Sequence, residues 1–223
     1  MKIEIVARSC IEPALFEYMD PGNDAFGMET LVEFAGRACY QSFHKPNEAT
    51  RSNRAYLANI LAQGHESVLE HASVSFYVQG VSRNMLLELE RHRHISFSVI
   101  STRFVDATKS RVVVPPPLRE VVGSDTVPLD SDVIEEYLMT VQALQAQGKT
   151  RKQAREAARW LLPGNLETKF VVTGNLRAWR DFLRKRYSVH ADAEIAEFAC
   201  RVLELLEKEA PNVFQDFPDT PFD

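Results

Sequence analysis

"ASVSFYVQGVSRNMLLELERHRHISFSVISTRF", residues 72–104, changes its periodicity twice. Val74, Phe76 and Val78 alternate with Ser73, Ser75 and Tyr77, the period-two pattern of a strand with one buried face. Ser82 then stands as an N-cap, and RNMLLELERHR, residues 83–93, takes up helical spacing. Ile95, Phe97 and Val99 next alternate with Ser96, Ser98 and Ile100, which predicts a second strand.

Working outward, MKIEIVARS reads as a first strand and PGNDAFG, residues 21–27, as a loop. Helical spacing follows over 28–43 through Leu31, Phe34, Ala38 and Cys39, and over 52–64 through Tyr56, Leu57, Ile60 and Leu61, with Gly64 as C-terminal stop. Residues 111–129 carry four of the eleven prolines and read as the most irregular connection, a candidate hinge or inserted arm. Helices are predicted over 132–148 and 152–162, the latter ended by Pro163 and Gly164. A strand over 168–175 leads to Asn175 as cap of a helix over 176–188. The last helix, 191–211, aligns Ile195, Phe198, Val202 and Leu206. Strands and helices mix without a βαβ rhythm, which favours α+β over a doubly wound sheet.

The 223 residues suffice for one substantial domain or two small ones, and 45% apolar with 26% charged residues makes disorder an unneeded reading. A formal charge of −5 argues against a surface adapted throughout to nucleic acid. Of 26 basic residues, however, 18 are arginine. Either the chain holds local anion sites or its genome favours arginine. Cys10, Cys39 and Cys200 form no CxxC pair and read as small buried hydrophobes in a reducing compartment. No stretch of 18 apolar residues appears, so the expected location is cytoplasmic, away from membranes.

The chemistry concentrates in ERHRHISFSVISTRF, residues 90–104, with three arginines, two histidines and four hydroxyls. On a regular helix Arg91, His92 and Arg93 would fan over roughly 200° and could not all grip one ligand. Some face solvent, or the cluster meets two ligands, or one face meets another subunit; arginine near a helix C-terminus also complements the macrodipole. If the chain stays extended beyond Ile100, Ser101 and Arg103 share a side, either as a phosphate cradle or as the surface of a half-buried strand. Glu88, three residues before Arg91, is a surface ion-pair partner or an acceptor beside the cationic site. His65, His71, His92 and His94 lack HExxH spacing and paired cysteines, so no metal is expected. GxSxG, Walker and GxGxxG patterns are absent, and Ser101 without an adjacent base reads as a positioning group rather than a nucleophile.

The pattern RHR, seven residues, then Ser, here Arg91 to Ser101, resembles the signature of flavin-dependent thymidylate synthases. GHESVLEH, VVTGNLRAW and KRYSVHADAEI resemble further parts of the family pattern in the same order, so the likeness covers residues 1–216 and leaves only the tail. It implies a single 1–223 domain with a mixed sheet flanked by helices, in a homotetramer with sites shared between subunits and no nucleic-acid partner. The implied activity converts dUMP to dTMP with carbon from methylenetetrahydrofolate and hydride from FAD reduced by NADPH. A non-catalytic nucleotide- or RNA-binding module is the alternative reading of the arginine cluster.

Position by position, the resemblance implies that Glu88, Arg91, Val99, Ile100, Ser101, Thr102 and Arg103 contact dUMP. Arg159 would join Ser101 and Arg103 at its phosphate. Arg186 would be catalytic, its charge favouring an ionised uracil N3. FAD would fall to Ser67, Glu70, Arg91, His92, Arg93, His94, Asn175, Arg177, Asp181 and His190, with His65 near folate and flavin. Three residues depart from the family pattern: Val99 stands where Glu or Gln is common, Asp181 where Asn or His is, and Glu90 where an apolar residue is.

Overall fold

The computed structural model describes residues 1–18, 27–43 and 47–223, so the predicted 21–27 loop lies outside the described residues but for Gly27. In chain order the elements are β1 (Lys2–Arg8), α1 (Met28–Tyr40), α2 (Asn53–Ala62), β2 (Ser73–Ser82), α3 (Arg83–Leu89), β3 (Ile95–Val99) and β4 (Arg111–Val113). There follow α4 (Arg119–Val122), β5 (Thr126–Pro128), α5 (Ser131–Ala146), α6 (Arg151–Ala158), β6 (Glu167–Asn175), α7 (Leu176–Arg186) and α8 (Ala193–Glu209). One sheet has the strand order β1-β2-β6-β3, and β4 pairs with β5 as a separate antiparallel ribbon. This is the expected α+β class. No helix among the described residues is long and apolar enough to cross a membrane.

The chain groups into two compact units. Unit one holds Met1–Lys2, Tyr77–Arg91 and Phe97–Val171, and unit two holds Ile3–Phe76, His92–Ser96 and Val172–Asp223.

In unit one a small core of Ala107, Tyr137, Val141, Ala154 and Ala158 forms where α5 and α6 meet. Thr150 and Gln153 close a reciprocal capping box at the start of α6. The proline-rich stretch, expected to be irregular, is ordered. β4 and β5 pair Arg111 with Pro128 and Val113 with Thr126, and the Val113 N–H reaches the Asn165 carbonyl at 2.9 Å. Pro128 at a strand end loses no needed ladder bond, and the other prolines set the 3-10 turn Pro116–Leu118.

In unit two Val74 and Phe76 are fully buried, as their alternation predicts. Asn175 caps α7, its Oδ1 accepting the Ala178 N–H at 2.8 Å. The Phe76, Trp179, Phe182 and Phe198 rings then form a continuous edge-to-face series with centroid spacings of 5.1, 5.8 and 5.7 Å. A Cβ at Gly174 would lie 3.0 Å from the Trp179 indole nitrogen, so the residue there must stay small. Gly64 sits at φ +67° just beyond α2, the left-handed stop its position predicts.

Several expectations fail for identifiable reasons. α3 ends at Leu89, not Arg93, because the buried Ile95 must enter β3, and the Ile95 N–H closes a turn on the His92 carbonyl at 3.2 Å. Arg91–Arg93 therefore leave the helix, and the helical fan does not apply. The extended run likewise stops at Val99, where the chain turns with the Val105 N–H on the Ser101 carbonyl at 2.9 Å.

α1 buries Glu29, Val32, Glu33, Gly36 and Arg37 instead of the apolar stripe through Leu31 and Cys39. A polar network makes this possible. Arg37 Nε donates to Glu33 at 2.6 Å, Asn53 Nδ2 donates to Glu33 at 2.8 Å, and Glu29 takes both the Asn212 side-chain amide and the Val213 N–H at 3.1 Å. Cys10 and Cys39 are exposed and Cys200 half-buried, contrary to the buried thiols expected, since those positions fall off the packed faces.

Replacing Phe182 by Ala should lower the unfolding free energy by about 3–5 kcal/mol, read from urea denaturation, because the ring joins three aromatic neighbours.

Candidate active site

Unit one contains a cavity of about 460 Å³. α3 supplies Arg83, Leu86 and Leu87, with Glu90 just after it; the end of β3 and the turn that follows supply Val99 to Arg103; and Arg159 enters at the end of α6. Three guanidinium groups thus meet one carboxylate around a partly apolar wall. The Ser101, Thr102 and Arg103 N–H groups in this turn have no backbone acceptor among the described residues. Arg103 pairs with Glu156 at 3.1 Å, but both side chains are about half solvated, so the pair is worth no more than about 1 kcal/mol and an anionic ligand can displace it.

Unit two gathers a second set of charges along α7. Arg177, Arg180 and Arg184 rise along one helical face and converge on Glu66 at 3.9, 3.8 and 2.6 Å. Arg177 also donates to Glu70 at 2.5 Å. Arg180 is fully buried and forks onto Asp216 at 2.7 and 2.6 Å. Burial pushes the Asp216 carboxyl up, but the Arg180 hydrogen bond and charge overcome it and hold it below the usual carboxylate range.

At the end of α7, Arg186 Nε donates to His92 Nε2 at 3.2 Å. As acceptor, that nitrogen carries no proton, so the neutral imidazole holds its proton on Nδ1. The His92 ring packs edge-on against Phe182, centroids 5.1 Å apart, so the buried aromatic series fixes the imidazole and the imidazole orients the guanidinium.

Comparison with known proteins gives this arrangement a context. The family model "Thymidylate synthase complementing protein" matches residues 23–212. A "Probable flavin-dependent thymidylate synthase" of Mycobacterium phage D29 is 44% identical, the match covering 100% of this chain and 98% of the relative. A "Flavin-dependent thymidylate synthase" of Corynebacterium efficiens is 43% identical over 97% of this chain and 90% of its own length. One from Mycobacterium bovis (strain BCG / Pasteur 1173P2) is 49% identical over 89% and 83%.

The chain belongs to the flavin-dependent thymidylate synthase family.

Family membership does not favour the non-catalytic module. Of the residues expected at dUMP, Val99, Ile100, Ser101, Thr102, Arg103 and Arg159 line the unit-one cavity together, whereas Glu88 and Arg91 are not part of its wall. Arg186 belongs to unit two. The unit boundary falls inside the RHR tripeptide, Arg91 with unit one and His92 and Arg93 with unit two.

The residues expected at FAD, apart from Arg91, all belong to unit two, as does His65. Among them the structure joins Glu70 to Arg177. Ser67, Arg93, His94 and His190 are exposed, and the exposed His65 precedes the 3-10 turn Glu66–His71. Asn175 Oδ1 is committed to its helix cap, so its NH2 is the group left for a cofactor. Asp181 pairs with Lys185 at 2.7 Å, which gives the departing carboxylate a local counter-charge.

Sequence reasoning missed Arg83 and Glu90 as cavity residues, though 83, 87 and 90 fall on one helical face. It also missed Glu66, whose signal was three arginines, 177, 180 and 184, at helical spacing.

Because the folded-state pKa of Asp216 is lowered, its stabilising contribution is complete at neutral pH and is lost as pH falls from about 4 through the lowered value. Asp216→Asn should therefore flatten the acid limb of the stability profile, read by urea unfolding at pH 7 and at pH 3.

Proposed function

We propose that the protein methylates dUMP to dTMP, taking its carbon from methylenetetrahydrofolate and its hydride from FAD reduced by NADPH, as a homotetramer with shared sites. The observation that carries this reading is the unit-one cavity, where the Ser101–Arg103 turn and the sequence-distant Arg159 line one wall.

In this reading the dUMP phosphate enters that cavity. Arg103 and Arg159 supply fixed positive charge, and Ser101 and Thr102 supply hydroxyls. Arg83 adds a third guanidinium, offsetting the Glu90 carboxylate. Leu86 and Leu87 form an apolar flank. Val99 offers no side-chain hydrogen bond, so contact there falls to its backbone.

Arg186 bears on the uracil ring. Its charge stabilises the anion formed when N3 loses its proton, which raises electron density at C5, the atom that bonds to the one-carbon unit. His92 holds Arg186 through Nε and so favours a fixed orientation over a mobile one.

The unit-two donor set fits an anionic dinucleotide: Asn175 and Arg177 lie two positions apart at the start of α7, with His190 and the 92–94 segment in the same unit. FAD, when bound, supplies the redox chemistry. Arg177 would hold the pyrophosphate by exchanging its half-exposed contact with Glu70 for a stronger anion. Single-domain organisation and a cytoplasmic location accompany this proposal.

Purified protein should be yellow, and its flavin absorption should bleach under NADPH. Incubation with dUMP, methylenetetrahydrofolate and NADPH should yield dTMP by chromatography; a colourless protein that takes up no FAD and yields none would sink the reading. Arg186→Ala should abolish dTMP formation while leaving FAD bound. Arg159→Ala should raise the KM for dUMP by about tenfold to a hundredfold, the worth of one charge-assisted contact.

A further inference from the structure

Residues 218–223, PDTPFD, lie beyond residues 23–212, which the family model matches. They are nevertheless paired to the segment that follows Arg186. The Phe222 N–H donates to the Tyr187 carbonyl at 2.9 Å, and the Val189 N–H donates to the Phe222 carbonyl at 2.9 Å. The result is a parallel bridge between Ser188 and Phe222.

Side chains reinforce the pairing. The Phe222 ring meets Tyr187 edge-on at 6.1 Å and Phe217 at 5.9 Å. Phe217 in turn packs against Phe214 at 5.7 Å and lies under the Arg180 guanidinium at 5.1 Å. Arg180 is the buried residue that forks onto Asp216, so the tail is anchored on α7 before it reaches the residues just past that helix.

Past Tyr187 the bridged segment has little else among the described residues to hold it. Tyr187 is buried, but Val189 is 61% exposed and His190 is exposed. Tyr187 is also held to α7, its N–H on the Leu183 carbonyl at 2.8 Å; beyond it the other contacts among the described residues are a local turn, with the His190 N–H on Ser188 Oγ and the Ala191 N–H on the Ser188 carbonyl, both 3.2 Å. Ordering a residue's backbone costs roughly 1–2 kcal/mol, so residues 188–190, tied only to themselves, would sample several conformations without the tail.

We propose that Phe222 is a positioning residue for the reaction: it straps the segment Tyr187–His190 and thereby fixes Arg186, immediately before it, and His190, at its end. This rests on the reading of Arg186 and His190 as groups that meet uracil and flavin. The strap supplies their order in advance of binding, which lowers the cost of reaching the reactive geometry.

The test compares the full chain with a deletion of residues 221–223, with Phe222→Ala and with Phe222→Leu. All are assayed at saturating FAD, methylenetetrahydrofolate and NADPH, at a temperature where circular dichroism shows each fully folded. The deletion and Phe222→Ala should exchange the Val189 amide hydrogen faster. They should lose about tenfold to a hundredfold in kcat, with the KM for dUMP changing far less, because the phosphate cavity lies in unit one. Phe222→Leu should restore most of the turnover. If the deletion does not fold, Phe222→Ala decides alone. Unchanged kcat in a folded variant beside an active full chain overturns the strap and leaves the functional reading standing. A full chain that binds no FAD and forms no dTMP overturns the functional reading and the strap's role with it.

Discussion

The edge of the His92 imidazole rests on Phe182, and the disposition of unit two's chemistry depends on that contact. The same phenyl ring is seated on Trp179 and Phe198, both in the closed core, so the imidazole inherits the rigidity of a packed interior. A histidine placed by solvent contacts alone would rotate, and the arginine hydrogen-bonded to it would follow. Here the position of one guanidinium traces back through three aromatic rings to the Asn175-capped start of α7.

Unit one solves a different problem with different means. Its cavity is built from a turn, one helix face and a residue at the end of a second helix. The ordered ribbon of β4 and β5 belongs to the same unit and meets the residues just before β6 through Val112 and Leu166. Those residues also receive α3, the Arg83 N–H bonding to the Leu166 carbonyl at 3.1 Å and the Asn84 N–H to the Gly164 carbonyl at 2.9 Å. A proline-rich stretch and the cavity's principal helix therefore dock on a common strip of backbone.

Much of this was legible in the residue order. Alternation at Val74, Phe76 and Val78 located β2, Ser82 and Asn175 announced their helices, and the spacing of Ile195, Phe198, Val202 and Leu206 gave the buried face of α8. The failures share a cause: long-range contacts overrode local pattern. α1 turns a charged face inward because Asn53 and Asn212 come from elsewhere in the chain to satisfy it, and α3 stops early because Ile95 is claimed by a strand. The motif turn behaved likewise. Extension was a sound inference from alternation, yet Ser101 and Arg103 reach the same cavity through a reversal of the chain that alternation could not encode.

The placement of the three thiols opens a practical route into this chemistry. Cys10 and Cys39 are exposed, while burial pushes the Cys200 thiol up and keeps it largely protonated at neutral pH. A maleimide dye or spin label offered at limiting concentration would therefore partition to the first two. Both lie in unit two, Cys10 just after β1 and Cys39 on α1, away in sequence from α7 and its bridged tail. Distances from such labels to a fluorescent flavin would turn cofactor occupancy into an optical signal without altering any residue assigned to the reaction.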